Sequence, residues 1–184
     1  MPTVYLRSRD VPLLKGQMID MFPFSADVYP SDWLYHLWLM TKERGALRRI
    51  FWDEPNTTHR ETLRYFLDFF EKKVLLVAMA KATKNIVGYL WYSDFRPQHQ
   101  AFGGMCMRRR IPHAYAQEVA VLGTEWAFRS QKLQQIWTYS PWKATIKLLE
   151  ESVNGHVHTV LPRYCKDGDR YRDVYVMRLL PPEE

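Results

Sequence analysis

Apolar and polar positions change period several times along this chain, and each change marks an element. Thr3 to Arg7 reads as a strand and Val11 to Phe22 as a helix, ended by Pro23, which pushes its neighbour out of helical space. Ser31 and Asp32 are placed to cap a helix carrying Leu34, Leu37, Trp38 and Lys42, with Gly45 as its interruption. A loop follows around Trp52 and Pro55. Thr58 and Glu61 form a capping box, and Leu63, Phe66, Leu67 and Phe70 make one apolar face behind it. The continuous apolar run Val74–Ala80 predicts a strand buried on both faces, and the Lys84-Asn85 turn returns the chain as Val87–Tyr92. Ala101–Met107 is a further strand, in which Gly103 and Gly104 signal a bulge or a close backbone approach. After Pro112, the stripe of Tyr115, Val119, Leu122 and Trp126 predicts the clearest helix of the chain. Leu133–Tyr139 is the next strand, and Pro141 suits the first turn of a helix lined by Trp142, Ile146, Leu149 and Val153. Asn154 and Gly155 stop that helix, and His156–Leu161 and Val174–Leu180 close the chain as two strands. The order is strand, helices, three strands, helix, strand, helix, two strands, a mixed α/β layer fold.

At 184 residues, with 47% hydrophobic and 15% aromatic positions, one domain spanning 1–184 is expected to fold without disulfide or metal. No apolar run reaches the roughly 20 residues of a membrane span. The first residues lack the apolar core of a signal peptide, so a cytoplasmic protein is expected. Cys106 and Cys165 fit reduced thiols better than a disulfide framework. The net charge of +6 favours phosphate-bearing partners in general. It is too diffuse to favour nucleic acid, because Arg108–Arg110 is the one tight basic cluster.

From Val74 to Leu180 the order and motifs resemble the GNAT superfamily of acyl-CoA N-acyltransferases. In that pattern a bulged strand runs into a loop, R/Q-x-x-G-x-G/A, whose amides open a helix and hold the pyrophosphate of coenzyme A. Here the strand is Ala101–Met107 and the loop is Ile111, Pro112, His113, Ala114, Tyr115 and Ala116. A helix N-terminus has unpaired N–H groups and about half a positive charge, so it suits a pyrophosphate. The resemblance implies an antiparallel-rich sheet with flanking helices, a cofactor core over 74–180, and a substrate side built from 1–73. It also implies an acetyl-CoA-dependent N-acetyltransferase acting on an amine of a small molecule or a protein, with a protein partner among the options. Four positions depart from the family. Ile111 replaces the Arg/Gln, Ala114 the first Gly, Pro141 the Asn before the last helix, and Leu148 the Tyr that often serves as general acid. These departures motivate the alternative of a GNAT-shaped interaction protein without catalysis, similar to small tailed-phage proteins linked to head assembly or virion contents.

Under the enzyme reading, backbone N–H groups of Met105, Cys106 and Met107 would polarise the thioester carbonyl. An alkyl amine with a pKa of about 10.4 must lose a proton before it attacks. Asp94 and Tyr139 sit at strand ends where they could take it, with Ser140 as a hydrogen-bonding partner. Arg108, Arg109 and Arg110 have the fork geometry to clamp phosphates, and His113 lies within the loop. His156, His158 and Cys165 are too few for a zinc site, so no metal is expected. Trp33, Trp38, Trp126 and Trp142 lie at helical spacing and belong to the core, whereas Trp52 and Trp91 are free to line a groove.

Overall fold

The computed structural model describes residues 14–24, 32–43, 62–71, 73–167 and 169–182. The elements are β1 (Leu14–Lys15), β2 (Ile19–Phe24), α1 (Asp32–Glu43), α2 (Leu63–Phe70), β3 (Val74–Ala80), β4 (Ile86–Arg96) and β5 (Gln100–Met107), then α3 (His113–Gln131), β6 (Gln135–Ser140), α4 (Lys143–Ser152), β7 (Gly155–Asp167) and β8 (Arg170–Leu179). The strands form one sheet in the order β1-β2-β3-β4-β5-β6-β8-β7. Every neighbouring pair is antiparallel except β5 and β6, which run parallel with α3 as their crossover. The architecture is a mixed α/β sandwich of one sheet with helices on both faces.

Burial on both faces explains why Val74–Ala80 is apolar throughout. Leu76, Ala78 and Ala80 join a core with Val119, Ala127, Ile146 and Leu149 of α3 and α4, while Leu75, Val77 and Met79 join a second core with Leu37, Met40, Phe66 and Phe70 of α1 and α2. The α2 helix begins at Thr62, whose hydroxyl accepts the Tyr65 N–H at 3.2 Å. The expected capping box at Thr58 and Glu61 lies outside the described residues, as do the strand at Thr3–Arg7, Gly45 and Trp52.

The spacing predicts a helix over Val11–Phe22, but its described part, residues 14–22, is not helical. They form the hairpin β1–β2, with Leu14 opposite Met21, and β2 pairs with β3 from Ile19 opposite Ala80 to Phe24 opposite Leu75. Ile19 and Met21 are fully buried, a period of two rather than 3.6. The tertiary setting wins because β3 offers an edge and because α3 captures the turn. Glu118 accepts the amides of Gln17 and Met18, the latter at 3.0 and 3.1 Å, and Lys81 donates to the Gly16 carbonyl. A Cβ on Gly16 would lie 2.1 Å from the Glu118 carboxylate, so glycine is what lets the turn close on the helix.

Tyr89 and Tyr92 stand back to back on β4 and are fully buried. Tyr89 shares a 2.9 Å hydrogen bond with Thr41 of α1, and Tyr92 bonds to Thr124 of α3. Burial penalises the phenolate and raises both pKa values above the ordinary tyrosine range. Unfolded tyrosine titrates near pH 10 while these two hold their protons, so their contribution to stability is intact below that pH and declines above it. The free energy of unfolding is expected to fall above about pH 10, by up to about 1.4 kcal/mol per pH unit for each buried phenol, and the denaturant midpoint with it. Tyr92→Phe should show a shallower slope in urea titrations across that range; an unchanged slope would remove Tyr92 as a cause.

Candidate active site

The site originates where β5 and β6 part. The two strands pair over three residues, Gln100 with Gln135, Ala101 with Ile136 and Phe102 with Trp137. Beyond Phe102, β5 stays with β4 and beyond Trp137, β6 stays with β8, which opens a wedge between them. The β5 side of the wedge presents backbone. Arg108 donates its N–H to Val87 O at 2.7 Å, and Met107 stands opposite Gly88. Antiparallel pairs alternate, so the Cys106 amide is directed to Tyr89 of β4, while the Met105 and Met107 amides are directed to the side on which β6 diverges. Of the three amides expected to face a thioester, the alternation leaves Met105 and Met107. The Cys106 side chain packs in the core beneath α1 and α2.

Gly103 and Gly104 are sites of close approach and not of a bulge. The register is continuous from Phe102 to Met107, and a Cβ on Gly104 would meet the Trp91 ring at 2.1 Å. The irregularity falls instead on β4 between Ser93 and Arg96, where Asp94 has a φ of 52°. Trp91, expected to line a groove, is 6% exposed and packs among Phe69, Phe70 and Tyr89 with ring separations of 6.0, 5.7 and 5.9 Å.

At the wide end of the wedge, Arg108, Arg109 and Arg110 lead through Ile111 into α3. Arg109 and Arg110 are exposed, and Arg110 adopts a left-handed φ of 60°. The cap residue, Pro112, supplies no side-chain acceptor, and the first turn of α3 contains no acidic residue. The amides of His113 and Ala114 therefore open the helix without a capping side chain or a competing carboxylate. His113 and Ala114 are exposed, while Ile111, Tyr115 and Ala116 are half-buried. An anionic diphosphate fits this donor set, and the Ala114 methyl stands in open solvent where the family pattern has glycine.

At the narrow end, the face toward α1 and α2 gathers polar groups around Phe102. Ser93 is opposite Phe102, and its hydroxyl donates to the Asp94 carboxylate at 2.7 Å. Tyr139 packs its half-buried ring on Phe102 at 4.6 Å. Lys73 faces Asp94, donates to the Phe69 carbonyl at 2.6 Å and lies 3.7 Å over the Phe69 ring; partial burial lowers its pKa, opposed by the Asp94 charge. Tyr139 thus packs on Phe102, and Ser93, which holds Asp94, stands opposite it. Ser140 is buried and accepts the Trp142 N–H at 3.1 Å, closing the turn into α4. Leu148 is buried on α4. Sequence reasoning missed Lys73 and Ser93, because only the strand register across β3, β4 and β5 brings them to the site.

Among the described residues, no group of three or more His, Cys, Asp or Glu could hold a metal, and no helix is long and apolar enough to cross a membrane. Cys106 and Cys165 are buried and not joined in a disulfide.

The order of strands and helices, with a parallel pair that splays beside a helix N-terminus, is shared with solved structures. The spermidine N-acetyltransferase of Vibrio cholerae, solved with CoA and spermine, superposes with a TM-score of 0.70 over 89% of this chain and 95% of its own, at 14% identity. A ribosomal-protein-S5-alanine acetyltransferase from Vibrio fischeri gives 0.69 over 94% and 98% at 13% identity. A GNAT-family acetyltransferase from Bacillus anthracis gives 0.68 over 92% and 98% at 15% identity. Neither a protein-family profile nor a curated protein matches the sequence. The chain has the GNAT fold.

Proposed function

We propose that this protein is an acetyl-CoA-dependent N-acetyltransferase, with residues 74–180 holding the cofactor and residues 1–73 shaping the acceptor side. The observation that carries the reading is the wedge itself: two splayed strands ending at a helix N-terminus that is uncapped, free of acids and preceded by three arginines. Acetyl-CoA, when bound, supplies an activated acyl group. The His113 and Ala114 amides, with Arg109 and Arg110, would hold its diphosphate. The Met105 and Met107 amides would donate to the acyl oxygen from a fixed position, which avoids reorganisation during reaction. Asp94, held by Ser93, would accept the proton of the incoming ammonium, and Tyr139 would orient the amine against Phe102.

The structural relatives act on different acceptors by their names, a polyamine and an alanine of ribosomal protein S5. The inactive interaction protein, the other reading of the degenerate loop, has no structural observation of its own in its favour. Asp94→Asn keeps the size and most hydrogen bonding but removes the base. Amine-dependent release of CoA is expected to fall about 10²-fold or more at neutral pH with acetyl-CoA binding unchanged. Equal rates in the variant would remove Asp94 as the base. Absence of CoA release with any amine in the wild type would remove the enzymatic reading.

A further inference from the structure

We infer that the narrow end of the wedge is a closed acyl pocket and that the Phe102 ring sets the length of the acyl group it admits; this rests on the N-acetyltransferase reading. In the plane of the sheet the pocket ends where β5 and β6 pair, at Phe102 and Trp137. An acyl chain that reaches this floor has to leave by one face of the sheet or the other, and side chains shut both exits. Toward α3 and α4, a Cβ on Gly103 would meet Tyr92 at 3.0 and 3.1 Å and Ile136 at 3.3 Å, so a side chain from β4 and one from β6 close over the glycine. Tyr92 is fixed there by its bond to Thr124 and by ring contacts with Phe95 at 6.4 Å and Trp126 at 6.2 Å. Toward α1 and α2 the closing group is Phe102. Ala101 lies in the first core and Cys106 in the second, so alternation turns Phe102 to the second face. There its ring stands 4.6 Å from that of Tyr139, and the pair bridges β5 to β6. Trp91 covers Gly104 on the same face.

With the acyl oxygen on the Met105 amide, two residue steps separate that donor from Gly103, about 7 Å of strand. Contact with the floor takes about 4 Å of this length. What is left holds the methyl of an acetyl group but not the extended chain of a hexanoyl group. Phe102 is half-buried, whereas Tyr92, Ile136 and Trp91 belong to the two cores, so shortening Phe102 opens the pocket at the least expense to the fold. It also leaves the main-chain donors of β5 in place. Methylenes that find no room in a closed pocket stay in water or force packed rings off their positions. In an opened pocket, each buried methylene strengthens binding about fourfold.

The test is calorimetric titration of the full chain with CoA, acetyl-CoA and hexanoyl-CoA, which requires no acceptor amine. Acetyl-CoA is expected to bind the wild type about tenfold or more tighter than hexanoyl-CoA. Phe102→Ala should reverse the order, moving the ratio of the two affinities by about tenfold or more. Phe102→Leu, smaller than phenylalanine but still apolar, should move the ratio in the same direction by less, and it gives the readout should the alanine variant fail to fold. CoA itself is titrated into each protein as the reference for the loop. Equal affinity of the wild type for the two thioesters, or a ratio that neither variant moves, overturns the inference and leaves the acetyltransferase reading standing. No binding of CoA or of either thioester would overturn the acetyltransferase reading and the pocket together.

Discussion

Ala114→Glu is expected to abolish acetyl-CoA binding while leaving the fold at least as stable as before. Ala114 is exposed in the first turn of α3, where a carboxylate interacts favourably with the helix dipole, by about 0.3–1 kcal/mol. The same carboxylate would stand among the amides that face the diphosphate. Two like charges about 4 Å apart repel by about 1 kcal/mol in water and about 4 kcal/mol near a protein surface, and a diphosphate presents more than one charge. A loss of at least about 100-fold in affinity follows, measured by calorimetric titration. Ala114→Gln separates bulk from charge: it should cost far less. If Ala114→Glu binds acetyl-CoA as the wild type does, the cofactor is not held at residues 111–116.

The second large effect is on stability. A Cβ on Gly104 would lie 2.1, 2.5 and 2.7 Å from three atoms of the Trp91 ring, inside any real contact. That ring is wedged among Phe69, Phe70 and Tyr89 and cannot swing aside without unpacking the second core. Gly104→Ala is expected to destabilise the protein by about 2–3 kcal/mol, a fall of roughly 5–10 °C in Tm. Gly103 is the internal comparison. Its Cβ would meet Tyr92 at 3.0 and 3.1 Å and Ile136 at 3.3 Å, distances a small shift relieves. Gly103→Ala should therefore cost clearly less, and calorimetric melting of both variants would decide. Equal Tm values for the two would mean that Trp91 is not confined as described.

Much of the fold was legible because its elements have strong local periods. Val74–Ala80 is apolar on both faces because the sheet is covered on both faces, and the α3 stripe is helical because one side packs on β4. The candidate diphosphate loop and the start of α3 are contiguous in sequence, so their juxtaposition needs no long-range information. Residues 14–22 were misread as helix because their partners, β3 and Glu118, lie about 60 and 100 residues away in the chain, and a nine-residue window does not contain them.

The sequence by itself determined the order of elements from Val74 onward, the basic run Arg108–Arg110, and the acid-free start of α3. Only the tertiary structure decided that β5 and β6 part after Phe102, that Met105 and Met107 direct their amides to the gap, that Tyr139 packs on Phe102 opposite Ser93, and that Asp94 meets Ser93 and Lys73. The physical reason is register. Side chains along a strand alternate faces with a period of two, so which groups meet depends on how three or four distant strands are aligned, a long-range choice made by the packing of the two cores.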